Sequence, residues 1–234
     1  MCQKPIHSHN DYWRDLPFYT ALSVGCISIE SDVWLYNDTL YVGHGPSSLS
    51  PARTFQSLYI EPILWVLNRE NPVSPFVTSK ARNGVFDGYP SQTLYLFVDV
   101  KTPGETTWPY VIQGLQPLRD AGYLTTYDGT GVTPGAVTVI GTGNTPLDQI
   151  QNKKFRDYFY DAPIPLLETT FSNITSDVSP IASTDFAAVF GTVNGTEFNS
   201  TQLATLRSQI ATAKRKGILT RSVSPHLFAL RAVY

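Results

Sequence analysis

Between residues 26 and 35 apolar and polar side chains alternate one for one. Ile27, Ile29, Val33 and Leu35 occupy the odd positions with Ser31, while Ser28, Glu30 and Asp32 occupy even ones. On a β-strand, a period of two gathers the aliphatic set on one face and both carboxylates on the other. Residues 94–101 repeat the design: Leu94, Leu96, Val98 and Val100 are aliphatic, and the intervening positions end in Asp99 and Lys101. Residues 4–11 read as a short extended run with His7 and His9 on one face. Residues 39–44 read as another, reached through a turn at Asn37-Asp38 and ending at His44. Further buried strands are expected at 137–141, 186–190 and 218–220.

Helical spacing fills the intervals. A short helix is expected over 16–24, and another over 51–68, where Phe55, Leu58, Tyr59, Ile63, Val66 and Leu67 share a face with a kink at Pro62. A third covers 109–121, and a fourth starts at Ser200 or Thr201 and runs to Lys216. Gly25, Gly122 and Gly217 each stand where a helix ends and a strand begins. Residues 71–92, rich in Gly, Ser and Pro, read as a long loop. Strand, polar loop, helix and glycine in rotation is the βα pattern of a parallel sheet, whose chemistry collects at the strand C-termini. We see no domain boundary, so residues 1–234 are expected to form a single α/β domain.

Composition narrows the function. With 234 residues, 42% hydrophobic content and a formal net charge of -2, the chain has the material for one packed core. That charge disfavours a nucleic-acid surface or a basic membrane patch. No apolar run approaches the ~20 residues of a membrane span, and no signal peptide follows Met1. Asn-x-Ser/Thr sequons at Asn37, Asn173, Asn194 and Asn199 nevertheless favour a glycosylated protein in a secreted or lumenal setting. Cys2 and Cys26, the only cysteines, each start a predicted strand; a bridge and two free thiols fit equally well.

Placed at the ends of parallel strands, His7, His9, Glu30, Asp32, His44, Asp99 and Lys101 converge. Two carboxylates facing one way repel unless a cation or a proton lies between them. Alone, the acidic strand also fits a solvated sheet edge; its recurrence at Asp99 favours a site. Glu30, Asp32 and Asp99 offer hard oxygen ligands suited to Mg²⁺, or to Ca²⁺, and less to zinc. Such an ion would take up a phosphodiester's non-bridging oxygens, with imidazoles as base and acid and Lys101 on a phosphate oxygen. A glycosidase built on Glu30 and Asp32 leaves the histidines and Lys101 without a task.

The motifs His7-Ser8-His9-Asn10-Asp11-Tyr12, Ile29-Glu30-Ser31-Asp32-Val33-Trp34, Tyr41-Val42-Gly43-His44-Gly45 and Val98-Asp99-Val100-Lys101-Thr102 resemble the PLC-like phosphodiesterase superfamily. Within it they are most similar to the fungal altered inheritance of mitochondria protein 6 group. That group is related to glycerophosphodiester phosphodiesterases and to sphingomyelinase D/phospholipase D toxins. The resemblance runs from about Ile6 to Gly217. It implies a TIM (β/α)8-type barrel, a phosphoric diester hydrolase of lipid metabolism, Mg²⁺ on Glu30, Asp32 and Asp99, and His7 and His44 as the acid/base pair. By the same resemblance Asn10 falls in register with His7, and His9, Asn10 and Lys101 are placed against substrate. The chain departs from the pattern after Gly217, where the last strand–helix unit reads as missing or replaced. His226, in that tail, receives no role. A barrel left irregular there is also compatible with a weak or inactive protein that only binds a phosphorylated ligand.

Overall fold

The computed structural model describes residues 3–77, 81–191 and 198–223. The chain divides into two compact units, Met1–Tyr160 and Asp161–Tyr234. In the first, β1 (Lys4–Ser8), β2 (Cys26–Tyr36), β4 (Leu94–Val100), β7 (Val137–Gly143) and β8 (Phe159–Tyr160) lie side by side in that order and run parallel. Only β3 (Thr39–Val42) runs against them, folded onto the far end of β2. Asn37 and Asp38 make that turn with φ of 47° and 59°, the left-handed pair of a two-residue hairpin.

Central placement of β2 settles the acidic face. Ile29 and Val33 are fully buried on one side, while Glu30 and Asp32 are equally buried on the other. The solvated-edge reading therefore fails, and the acidic face points into protein. Gly25, Gly122 and Gly217 take φ of 83°, 71° and 67°, so all three stop their helices in the conformation a side chain resists.

Helix boundaries moved where proline and caps compete with periodicity. Helix α1 is Tyr19–Ser23, shorter than expected. Helix α2 is Glu61–Glu70, and the turn before it, Gln56–Ile60, is wound wide, with five-residue hydrogen-bond spacing. Pro62 sits in the first turn of α2, where its missing N–H costs nothing. Helix α3 starts at Gly104, five residues ahead of Pro109, and runs to Gly114; α4 (Gln116–Asp120) follows. A small hairpin, β5 (Thr126–Tyr127) with β6 (Val132–Thr133), and α5 (Asp148–Gln151) complete the unit. Residues 71–92 form no helix or strand among those described, as expected.

In the second unit β9 (Ala162–Pro163), β10 (Ile181–Asp185) and β11 (Leu219–Val223) form a parallel sheet in the order β9-β10-β11. The strand expected at 186–190 is instead helix α6 (Phe186–Phe190). Asp185 caps it by accepting the Ala188 N–H, and the Phe186 and Phe190 rings meet 4.5 Å apart one helical turn on. Helix α7 (Ser200–Arg215) is capped by Asn199 in a reciprocal pair with Gln202, one residue ahead of the expected cap. Arg221 of β11 donates to Ser183 on β10 at 2.6 Å and to the buried Asp161 at 3.1 Å. Among the described residues no helix is long and apolar enough to cross a membrane. Cys26 carries a buried thiol, whereas Cys2, Asn194 and His226 lie outside the described residues.

Candidate active site

All the sequence-derived candidates belong to the first unit: His7, Glu30, Asp32 and Asp99 on the parallel strands β1, β2 and β4, His9 and Asn10 just after β1, His44 after β3 and Lys101 just after β4. Register does the gathering. Asp32 of β2 stands directly opposite Asp99 of β4, and Glu30 lies two residues back on the same face. Carboxylate oxygens of Glu30, Asp32 and Asp99 all lie within 4.8 Å of one another, close enough to share one ion.

The hydrogen bonds leave a particular vacancy in bonding. Lys101 Nζ donates to Asp99 Oδ2 at 2.6 Å and reaches Asp32 Oδ2 at 3.1 Å, and the Tyr12 hydroxyl donates to that same Asp32 oxygen at 2.8 Å. Asp32 Oδ1 and Asp99 Oδ1 are buried and have no hydrogen-bond partner among the described residues. A buried anionic oxygen without a donor is costly, and two of them beside Glu30 fit the donor set of a hard divalent cation. Burial raises the pKa of Asp32 to about 7, and repulsion from Asp99 and Glu30 adds to it against the pull of Lys101 and Tyr12. Burial opposes the charge on Lys101, but Asp99 and Asp32 outweigh it and keep the ammonium above its ordinary range.

Gly143 closes the wall beside Asp99. It ends β7 with φ of 64°, and a Cβ built there would stand 2.1 Å from Asp99 Oδ1 and 2.8 Å from the Val100 carbonyl. Gly143→Ala is expected to displace the Asp99 carboxylate. We expect it to weaken binding of a divalent cation about 10–100-fold in calorimetric titration and to lower stability by ~1–3 kcal/mol. Binding and melting unchanged by the alanine would show that Asp99 is not held by this contact.

The histidines divide between two carboxylates. His7 Nδ1 lies 2.7 Å from Ser28 Oγ, its register partner on β2, and His7 Nε2 lies 2.9 Å from Glu30 Oε2. His9 Nε2 is 3.4 Å from Glu30 Oε1, and its ring stacks near that of His7. His44 stands on the opposite side, with Nδ1 3.8 Å from Asp32 Oδ2 and a side chain 61% exposed. Exposure leaves its other nitrogen open to a reacting group. Trp34 Nε1 donates to the Gly43 carbonyl at 2.7 Å and so fixes the turn that carries His44.

Asn10, expected against substrate, is buried and hydrogen bonded to Tyr12 at 2.7 Å. Lys101 faces the carboxylates as its spacing from Asp99 implies. Sequence reasoning gave no role to Tyr12, Gly143 or Trp13, whose ring packs 5.4 Å from that of His44. Tyr12 could have been found from its place in the first motif, and Ser28, already on the polar face of β2, proves to be the partner of His7. Asp11, next to Asn10, is structural: it accepts from Ser8 Oγ at 2.7 Å and from the Phe18 amide at 2.6 Å, holding the loop after β1.

The sequence model of the AIM6-like phosphodiesterase domain matches residues 1–161, the part of the chain that carries every residue above. The chain is 54% identical over 227 residues to "Altered inheritance of mitochondria protein 6 homolog" of Arthroderma benhamiae, covering 93% of this chain and 71% of that protein. It is 40% identical to "Altered inheritance of mitochondria protein 6" of Lachancea thermotolerans, covering 80% of this chain and 46% of that one. The protein of that name from Saccharomyces cerevisiae is 37% identical, with coverage of 73% and 47%. The chain thus spans about half the length of these yeast relatives. No solved structure matches it.

Proposed function

The chain belongs to the AIM6-like phosphodiesterase family, and from that membership we propose a Mg²⁺-dependent phosphodiesterase that cleaves a glycerophosphodiester or phospholipid headgroup. One observation carries the reading: the carboxylates of Glu30, Asp32 and Asp99 come close enough to share one ion, and two of them carry a buried oxygen with no hydrogen-bond partner among the described residues. Glu30, Asp32 and Asp99 would hold the ion, which would neutralise charge developing on the phosphodiester. His44, open to solvent beside Asp32, is suited to move a proton at its outer nitrogen. His7 orients Glu30 and, with its lesser exposure, takes the partner role in acid/base exchange. Lys101 balances part of the acidic charge and keeps a cation at the mouth of the site. The finer fold assignment, a TIM (β/α)8-type barrel irregular at its C-terminal strand–helix unit, is part of the proposal. Its support is that, among the described residues, five strands of the first unit and three of the second each run parallel with their neighbours in the order of their sheet.

The test is turnover of bis-(p-nitrophenyl) phosphate and of a lysophospholipid with Mg²⁺ and with EDTA. Release that EDTA abolishes and that is lost in Glu30→Gln supports the assignment. Activity indifferent to both refutes it, and ligand binding without turnover favours the inactive binder. Product analysis for a cyclic phosphate separates internal attack from hydrolysis.

A pH dependence follows from Asp32. A carboxylate binds metal only when deprotonated, and without metal Asp32 keeps its proton up to about pH 7. Mg²⁺ affinity is therefore expected to be nearly level above pH 8 and to fall about tenfold between pH 8 and pH 6. Calorimetry in two buffers of different ionisation heat would also detect the released proton; equal affinity at pH 6 and pH 8 would count against it.

A further inference from the structure

The hydroxyl of Tyr12 has one proton and three polar neighbours. Its oxygen lies 2.8 Å from Asp32 Oδ2, 2.7 Å from Asn10 Oδ1 and 3.3 Å from His44 Nδ1, with the tyrosine itself 2% exposed. A phenol gives one hydrogen bond and accepts others on its lone pairs. An ionised Asp32 only accepts, and the charge makes it the strongest claimant on the proton. The lone pairs of Tyr12 then face Asn10 and His44, and both must offer an N–H. Asn10 does so by a half-turn of its amide, which exchanges oxygen and nitrogen at the same position. His44 has one way to comply, which is to carry its proton on Nδ1. A bare Nδ1 would set lone pair against lone pair at Tyr12. It would also face the Asp32 carboxylate 3.8 Å away.

We infer that Tyr12 is a positioning residue whose hydroxyl, anchored on Asp32, holds His44 as the Nδ1–H tautomer and leaves the Nε2 lone pair outward to take up a proton. Trp13, packed against the His44 ring at 5.4 Å and 60°, limits rotation of that ring away from Tyr12. Arg53 donates to the Tyr12 carbonyl and ties the same loop to the chain after β3. The inference rests on the proposed phosphodiesterase only in giving His44 a proton to move; the tautomer itself can be observed without turnover.

The experiment uses the full chain labelled with ¹⁵N-histidine, with saturating Mg²⁺ at alkaline pH, and long-range ¹H–¹⁵N correlation spectra. His44→Gln identifies the signals of His44 by their loss. The expected wild-type pattern is a protonated Nδ1 and a bare Nε2. Tyr12→Phe is expected to return His44 to the Nε2–H form and to lower kcat about 10–100-fold, with KM little changed. A wild-type His44 protonated on Nε2 would overturn the inference, and so would a tautomer that Tyr12→Phe leaves alone. If Tyr12→Phe does not fold, the wild-type spectrum decides by itself. Absence of any wild-type turnover would strike the proposed function and leave the tautomer result standing.

Discussion

Replacing Asp32 by asparagine is expected to abolish Mg²⁺-dependent turnover while making the metal-free protein more stable. Both effects come from one oxygen. Asp32 Oδ1 is buried with no donor among the described residues, directly across the sheet from Asp99 and two residues from Glu30. An ion would satisfy that arrangement; without one, the cluster repels itself. The pKa of about 7 measures the cost, since an unfolded aspartate titrates near 3.9. A carboxyl whose pKa is raised by folding binds its proton more tightly in the native state. Its penalty is therefore absent below pH 4, grows as pH rises, and is complete above pH 7. Asparagine removes the charge while keeping an acceptor for Tyr12, and Lys101 retains Asp99 at 2.6 Å. The gain at pH 8 should be on the order of a few kcal/mol, seen as a melting temperature higher by roughly 2–4 °C per kcal/mol. Near pH 4 the two proteins should melt together. A metal-free variant less stable than its parent at pH 8 would mean that the carboxylate is already well compensated. Retained Mg²⁺-dependent turnover would remove Asp32 from the site altogether.

Much of this site was legible because strand periodicity survives where function is densest. Ser28, Glu30 and Asp32 fall on one face of β2 whatever surrounds it, and Asp99 on β4 and Lys101 just past its end do the same. What alternation does not contain is register. The pairing of Asp32 with Asp99, of His7 with Ser28 and of Val100 with Gly143 belongs to the sheet. For that reason Asp99 could be nominated from the sequence, while the glycine that shapes its pocket could not. Tyr12 escaped for another reason. Asn10 takes φ of 49°, a turn that brings the ring two residues later back beneath the carboxylates. The misreading of 186–190 is ordinary by comparison. Phe-Ala-Ala-Val-Phe is an apolar run too short for period to separate strand from helix, and the deciding signal was the cap at Asp185.

The two catalytic candidates are expected to fail in different ways. Among the described residues His44 reaches the acidic cluster only through Tyr12 and a 3.8 Å approach to Asp32, and its side chain is mostly exposed. His44→Ala should lower kcat by about 10²–10⁴ and leave the Mg²⁺ affinity within about threefold. His7 is engaged at both nitrogens, by Ser28 and by Glu30 Oε2. It therefore serves Glu30 as an orienting partner as well as a proton carrier, and His7→Ala should lose metal affinity by about 10–100-fold in addition to kcat. Calorimetric Mg²⁺ titration beside steady-state rates at saturating Mg²⁺ separates the two. If excess Mg²⁺ restores His7→Ala to the parental rate, His7 only positions a ligand and the acid/base pair must be sought elsewhere, with His9 next in line at 3.4 Å from Glu30 Oε1. If neither excess metal nor higher pH rescues it, and affinity is unchanged, the contact with Glu30 is incidental and the proton is the whole of its task.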